Sequence, residues 1–195
     1  MSIVTSCKLN ASSLIINNQL IHTISGDTID WKRELYNFYS KDYPKFHKMD
    51  PLAKMAFLGI LGIEKTTDLS VYDDNEVSMI FANKTSSYKS DSNHFENYTK
   101  KNLISPSDFV YTLPNILTGE LAIYLKWYGE NCFYILEKFD LDFYIEQIEI
   151  AFSKGKKACL CGWVESSDKS EDLIIFIIEN QNNKINKEEI YSYFK

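Results

Sequence analysis

The spacing of apolar and polar positions along this chain switches between helical and strand periods, and each switch marks an element. Ser13–Ile24 is rich in β-branched residues, with Asn17-Asn18 in the middle, and reads as one bulged strand or a hairpin. Ser25-Gly26-Asp27 ends it. Asp30–Tyr39 places Trp31, Leu35, Phe38 and Tyr39 on one helical stripe. Asp50-Pro51 is a helix start, with a capping carboxylate and then proline where its missing N–H costs nothing. The helix that follows, through Leu52, Met55, Phe57, Leu58, Ile60 and Leu61, is apolar on most of its circumference and reads as buried on more than one side.

Asp68–Glu76 is polar and reads as a loop, and Val77–Ala82 as a short strand buried on both faces. Asn83–Asn102 carries little signal and reads as a long surface connection with one helix near Asn93–Lys101. Ser105–Ile135 is the most patterned stretch: a proline-punctuated loop, Pro114-Asn115, a helix from Ile116 to Trp127, a break at Tyr128-Gly129 and a strand at Cys132–Leu136. That strand feeds the loop Glu137-Lys138-Phe139-Asp140, which is how many α/β enzymes present a nucleophile. Asp140 caps a helix to Lys154, with Leu141, Tyr144, Ile145, Ile148, Ala151 and Phe152 at helical spacing and Gly155 closing it. Ala158–Val164 and Leu173–Glu179 read as an antiparallel pair across the short loop Ser166–Glu171, and Lys187–Phe194 as a short helix or tail.

The resulting order predicts an α/β fold: one layered domain of βαβαβαββ type over residues 1–195, with a mixed five-stranded sheet and helices on both faces. Residues from about 183 to 195 read as a terminal tail or short helix. Composition agrees. The 195 residues are 45% hydrophobic and 14% aromatic, enough for a core. A net charge of -6 argues against a nucleic-acid partner. The longest apolar run, Leu173–Ile178, is too short to span a bilayer, and the first residues show no signal-peptide pattern, so the cytoplasm is the expected compartment.

Candidate chemistry is sparse. Cys159 and Cys161 share one strand face but lack two further zinc ligands, and read as small buried hydrophobes. Cys132 sits inside an apolar strand, and His22, His47 and His94 stand apart from any partner. No glycine-rich phosphate loop occurs, and no metal or cofactor is expected. Lys154, Lys156 and Lys157 cluster at a helix C-terminus, which favours cations without any ligand.

The residues Ser105, Pro106, Phe109, Thr112, Pro114, Asn115, Gly119, Leu121, Ala122, Gly129 and Asn131 follow a motif of the first half of β-ketoacyl synthases, proteins of the thiolase fold. Glu130 stands where that motif has proline. Tyr43–Leu58 and Lys156–Val164 resemble flanking segments, the former most closely in short ketosynthase-like proteins of aryl-polyene and flexirubin-type pigment clusters. The resemblance implies a thiolase-like half and puts the synthase nucleophile at Lys138 or Phe139, neither a cysteine. The basic residues that activate the synthase thiol belong to a second half beyond this chain.

The implied role is a non-catalytic, chain-length-factor-like partner in fatty-acid or polyene-polyketide biosynthesis. It would pair with a ketosynthase subunit or itself, and less directly with an acyl carrier protein. A lone half exposes an apolar helical layer, for which Leu52–Leu61 is one candidate unless it is core. The alternatives are acyl transfer through Cys132 or an interface cysteine, and an unrelated small α/β binding protein.

Overall fold

The structure is a computed structural model that describes residues 2–24, 30–180 and 187–194. The expected chain break at Ser25-Gly26-Asp27 lies outside them, as do residues 183–186 and 195 of the expected tail. Among the described residues seven strands form one mixed sheet: β1 (Ser2–Asn10), β2 (Ser13–Ile16), β3 (Gln19–Thr23), β4 (Val77–Asn83), β5 (Asn131–Ile135), β6 (Ala158–Ser166) and β7 (Glu171–Glu179). Their spatial order is β3-β2-β1-β7-β6-β4-β5. β4 lies between β5 and β6 and is parallel to both, while every other pairing is antiparallel.

The expected count of five is corrected to seven. Ser13–Ile24 holds two strands, because Asn17 and Asn18 adopt φ of 50° and 62° and make a two-residue hairpin turn. The hairpin also carries a register shift between Leu14 and Ile15. The second addition is β1, which the sequence pattern does not announce. Its Thr5 and Ser6 are polar yet fully buried, so the strand lacks a clean apolar face.

The helices are α1 (Trp31–Tyr39), α2 (Pro51–Glu64), α3 (Tyr88–Lys101), α4 (Pro106–Val110), α5 (Ile116–Leu125), α6 (Leu141–Ser153) and α7 (Lys187–Phe194). As expected, they cover both sheet faces. α2 lies on β1, β6 and β7, with α1 and α5 beside it, and this face holds the larger core. Asp50 caps α2 by accepting the Ala53 N–H at 2.9 Å. Gly59 lets α2 settle onto β7: a Cβ there would stand 2.9 Å from methyl carbons of Leu173 and Ile175. The opposite face is closed by α6 and α7, with Tyr144, Ile148, Phe176 and Ile190 at its centre.

Three boundaries differ from the sequence reading. α3 begins five residues earlier than the helix expected near Asn93. The loop after Asn102 contains α4, capped by Ser105 with Pro106 at its first position. α5 stops at Leu125 rather than Trp127, because Lys126 takes the left-handed conformation at φ 59° and Trp127 turns into the core. The candidate interface helix Leu52–Leu61 is core: it is buried by the sheet below and by α1 and α5 alongside.

Candidate functional site

The joint between β5 and α6 is built as the sequence implies. Leu136 leaves the sheet by donating its N–H to the Asn83 carbonyl at 2.8 Å. Asp140 then caps α6, accepting the N–H groups of Asp142 and Phe143 at 3.1 and 3.3 Å. Between them the loop presents Lys138 to solvent and turns Phe139 inward. The Phe139 ring packs near Tyr144, Trp163 and Phe194, at centroid distances of 5.4, 6.4 and 5.7 Å. An open cavity of about 440 Å³ lies here, bounded by Lys138–Asp142 on one side and by Tyr191 and Phe194 of α7 on the other. Tyr191 also hydrogen-bonds Asp142. A presented side chain at this joint is therefore an ammonium or a packed phenyl ring, and no thiol or hydroxyl stands in Glu137–Asp140.

The cysteines are elsewhere. Cys132 is half-buried on β5, the edge strand, and interacts with the Tyr134 hydroxyl. That phenol is pushed up by burial and then by Cys132, and it donates to Gln147 Oε1 at 3.0 Å. Cys159 and Cys161 point into the core under α6, as their spacing implies. Burial pushes the Cys159 thiol up to about 12 and raises that of Cys161 as well, so neither carries the thiolate that nucleophilic chemistry requires. Cys7, fully buried, is likewise pushed up to about 12 by burial. Each histidine rests on its own aromatic neighbours: His22 on Phe38, His47 against Tyr36 and Phe46, His94 near Phe109. Among the described residues no group of three or more His, Cys, Asp or Glu is placed to hold a metal.

The motif residues serve as framework. Ser105 caps α4, and the Thr112 hydroxyl donates to the Phe109 carbonyl at 2.7 Å. Pro114 and Asn115 lead into α5, whose first turn closes on the Asn115 carbonyl. Gly119 faces open space. Gly129 sits where the chain re-enters the sheet: a Cβ there would stand 2.6 Å from the Val77 carbonyl oxygen, so only glycine fits. Asn131 accepts the Thr118 hydroxyl at 2.9 Å and ties α5 to β5.

Three polar anchors nearby go beyond the sequence reading: Glu120 and Glu165 are buried, and Asp50, read there only as a helix cap, is half-buried. Glu120, on apolar α5, has Lys45 Nζ at 2.6 Å and accepts the Tyr111 hydroxyl at 3.0 Å. Its signal was visible: a single acid inside ILTGELAIYL must find partners. Asp50 accepts the Ser90 hydroxyl at 2.7 Å and so fastens α3 to the start of α2. Glu165, at the end of β6, accepts the Lys84 N–H at 3.0 Å and the Thr85 hydroxyl, and fixes the loop after β4.

Among the described residues, exposed large apolar side chains concentrate on α3, α4 and their connection. Phe95, Ile104 and Phe109 are 68%, 75% and 57% exposed, with Tyr98, Leu103, Val110 and Leu113 around them. The free edge of β5 adds exposed Ile135, and α5 adds Ile123. The lysine cluster is already engaged: Lys154 pairs with Glu130 at 2.9 Å, Lys157 pairs with Glu76, and Lys156 donates to the Asn75 carbonyl at 2.8 Å. No helix among the described residues is long and apolar enough to cross a membrane.

No family model matches the chain, and no curated protein matches it in sequence. Solved structures match its fold. One is a ketosynthase in complex with its chain length factor from Xenorhabdus doucetiae, 9% identical over 92% of this chain and 78% of that one, with a TM-score of 0.64. A second is the ishigamide ketosynthase/chain length factor, 12% identical over 93% of this chain and 62% of the other, with a TM-score of 0.66. A third is a type II polyketide synthase acyl-carrier protein in complex with its ketosynthase, 12% identical over 92% and 62%, with a TM-score of 0.59. The chain thus has the thiolase-like, ketosynthase-like α/β fold, and it spans about three fifths of the latter two chains.

Proposed function

We propose that this protein is a non-catalytic, chain-length-factor-like subunit that pairs with a ketosynthase in fatty-acid or polyene-polyketide biosynthesis in the cytoplasm. In this reading residues 1–195 form one ketosynthase-like domain that supplies packing surface and no nucleophile. The observation that carries it is the β5–α6 joint, where Asp140 caps α6 and the loop before it offers Lys138 and Phe139 but no thiol or hydroxyl. The exposed apolar residues of α3 and α4 and the unpaired edge of β5 support a partner, since surfaces of this kind mark interfaces on soluble proteins. A ketosynthase is favoured over an acidic carrier protein as the direct partner. The lysine cluster at the end of α6 is held in ion pairs and a backbone bond, so it does not offer a free basic patch.

Co-expression with a ketosynthase from the same genome tests this. A stoichiometric complex in size-exclusion chromatography is expected, with self-association in its absence. A monomer that binds no ketosynthase sinks the proposal. Acylation of Cys132 on incubation with acyl-CoA, read by mass spectrometry, would instead support an enzyme.

A further inference from the structure

A second constellation lies away from the β5–α6 joint and has no part in the pairing role. Glu171, the first residue of β7, is the meeting point of two lysines from distant elements. Lys32 of α1 and Lys89 of α3 each place Nζ 2.7 Å from the same oxygen, Glu171 Oε1. The Trp31 indole N–H donates to the other oxygen at 2.8 Å. Two ammoniums share one carboxylate, and Asp30 is the next negative charge acting on Lys32. The Lys32 side chain is only 12% exposed, against 26% for Lys89, and its Nζ also lies 4.4 Å from the Trp31 ring centroid.

These groups form the floor of an open cleft of about 710 Å³. Its walls are the β1–β2 turn at Asn10–Ser12, the start of α1, and the β6–β7 turn at Ser167–Ser170. The charged groups that line the cleft with Lys32 are Glu171, Lys89, Asp30, Asp168, Asp172 and Lys169, of which Glu171, Lys89 and Asp30 act on Lys32. The cluster can lose a proton and stay intact: with one lysine neutral, Glu171 keeps a cation on Lys89 and hydrogen-bond donors from Lys32 and Trp31. A structural ion pair has no need of a second ammonium, and a cationic neighbour is one of the means by which proteins make a lysine amine nucleophilic.

We propose that Lys32 is a reactive amine that takes up a small oxo acid as an imine at the floor of this cleft. Lys89 receives the acid's carboxylate. The Lys32 ammonium gives one proton to water, and its Nζ lone pair then attacks the carbonyl carbon. The resulting carbinolamine hydroxyl takes up a proton and leaves as water, so an ammonium and a carbonyl become an iminium and water. The iminium keeps the positive charge that Glu171 faces. Burial is the largest influence and lowers the Lys32 pKa; Glu171 opposes it, Lys89 adds a smaller lowering, Asp30 a smaller raising, and the net direction is down.

Glyoxylate with cyanoborohydride at neutral pH tests this in the full-length protein, since reduction fixes the imine as a carboxymethyl group that peptide mass mapping locates. Lys32 is expected to label several-fold faster than the exposed Lys100 and Lys101, although access alone would make it slower. Lys89→Met is expected to slow labelling of Lys32 several-fold and leave Lys100 unchanged, with folding checked by circular dichroism. Acetaldehyde, which lacks the carboxylate, is expected to lose the preference for Lys32. Labelling of Lys32 no faster than Lys100, or a Lys32 rate indifferent to Lys89→Met, overturns the proposal. Equal selectivity for acetaldehyde overturns the assignment of an acid.

Discussion

Helices α2 and α3 are each fourteen residues long and are held in opposite ways. Eleven residues of α2 are buried, while on α3 the only buried residue is Ser90. α2 is fixed by apolar contact with the sheet and two helices. α3 is fixed by polar tethers: Ser90 to Asp50, Lys89 to Glu171, Asn97 to Asp108 and the Ser87 hydroxyl to the Thr112 carbonyl. Its large side chains, Phe95 and Tyr98, face outward. A helix of this length gains little from propensity alone, so α3 has the composition of a surface and the ties of a positioned one. The sequence pattern leaves α2 as either core or an apolar layer available to a partner. The structure assigns α2 to the core and leaves α3 and α4 as the apolar surface without cover.

The largest effect that separates the two is expected in α2. Phe57 is fully buried and touches Tyr43 and Tyr124 with its ring. Phe57→Ala is expected to cost about 3–5 kcal/mol in urea unfolding, the usual range for deleting a buried phenyl ring. A loss below about 1 kcal/mol would mean that the α2 layer is loosely packed, and the contrast with α3 would collapse.

The reverse experiment places charge on the other surface. The double variant Ile104→Glu, Phe109→Glu is expected to leave unfolding within about 0.5 kcal/mol of the parent, because both side chains already face solvent. Its affinity for a ketosynthase partner is expected to fall by about 2 kcal/mol, roughly thirtyfold, as for residues central to an interface. Unchanged affinity would move the interface elsewhere, with the β5 edge next in line.

A smaller effect tests the polar tethers. Glu171 is drawn to about 2, below its ordinary 4.5: burial alone would raise it, but hydrogen bonds from Lys32, Lys89 and Trp31 outweigh that. A lowered carboxylate pKa gives stability that is present above about 4.5 and lost as pH falls from there towards about 2. Glu171→Gln is expected to flatten that fall and to remove about 1.5 kcal/mol at neutral pH, the low end for hydrogen bonds to a charged group. Amide exchange resolves where the loss lies: α3 is expected to lose protection and α2 to keep it.

Legibility in the sequence follows the same division. α2, α6, β6 and β7 could be read because their signals are local: a capping aspartate, a helical or continuous apolar period and a closing turn. The β5–α6 joint was legible for that reason, and Asp140 caps α6 as its position implies. β1 was not legible, because its buried polar residues find partners far along the chain: Ser6 meets Asn17, and also Tyr193 across 187 residues. The extent of α3 was hidden because Ser90 and Lys89 gain their partners 40 and 82 residues away. The Glu171 cluster was invisible on the same grounds, since three chain segments supply it and none shows a motif.

The smallest expected effect concerns the exposed ion pair on α3. Lys100 Nζ lies 3.1 Å from Glu96 Oε1, one helical turn away, with both side chains more than half exposed. Such pairs contribute about 0.3–0.5 kcal/mol and weaken with salt. Lys100→Ala is therefore expected to lower urea stability by that amount at low salt and by less at high salt. The variant also probes the apolar surface, since Lys100 follows Tyr98 and precedes the exposed pair Leu103 and Ile104. If α3 is anchored by its tethers alone, a change on its outer side leaves the rest of the helix in place and its effect stays in tenths. A loss above about 1 kcal/mol at any salt concentration would mean that the outer side of α3 already has an intramolecular partner, and that surface would then be closed to docking.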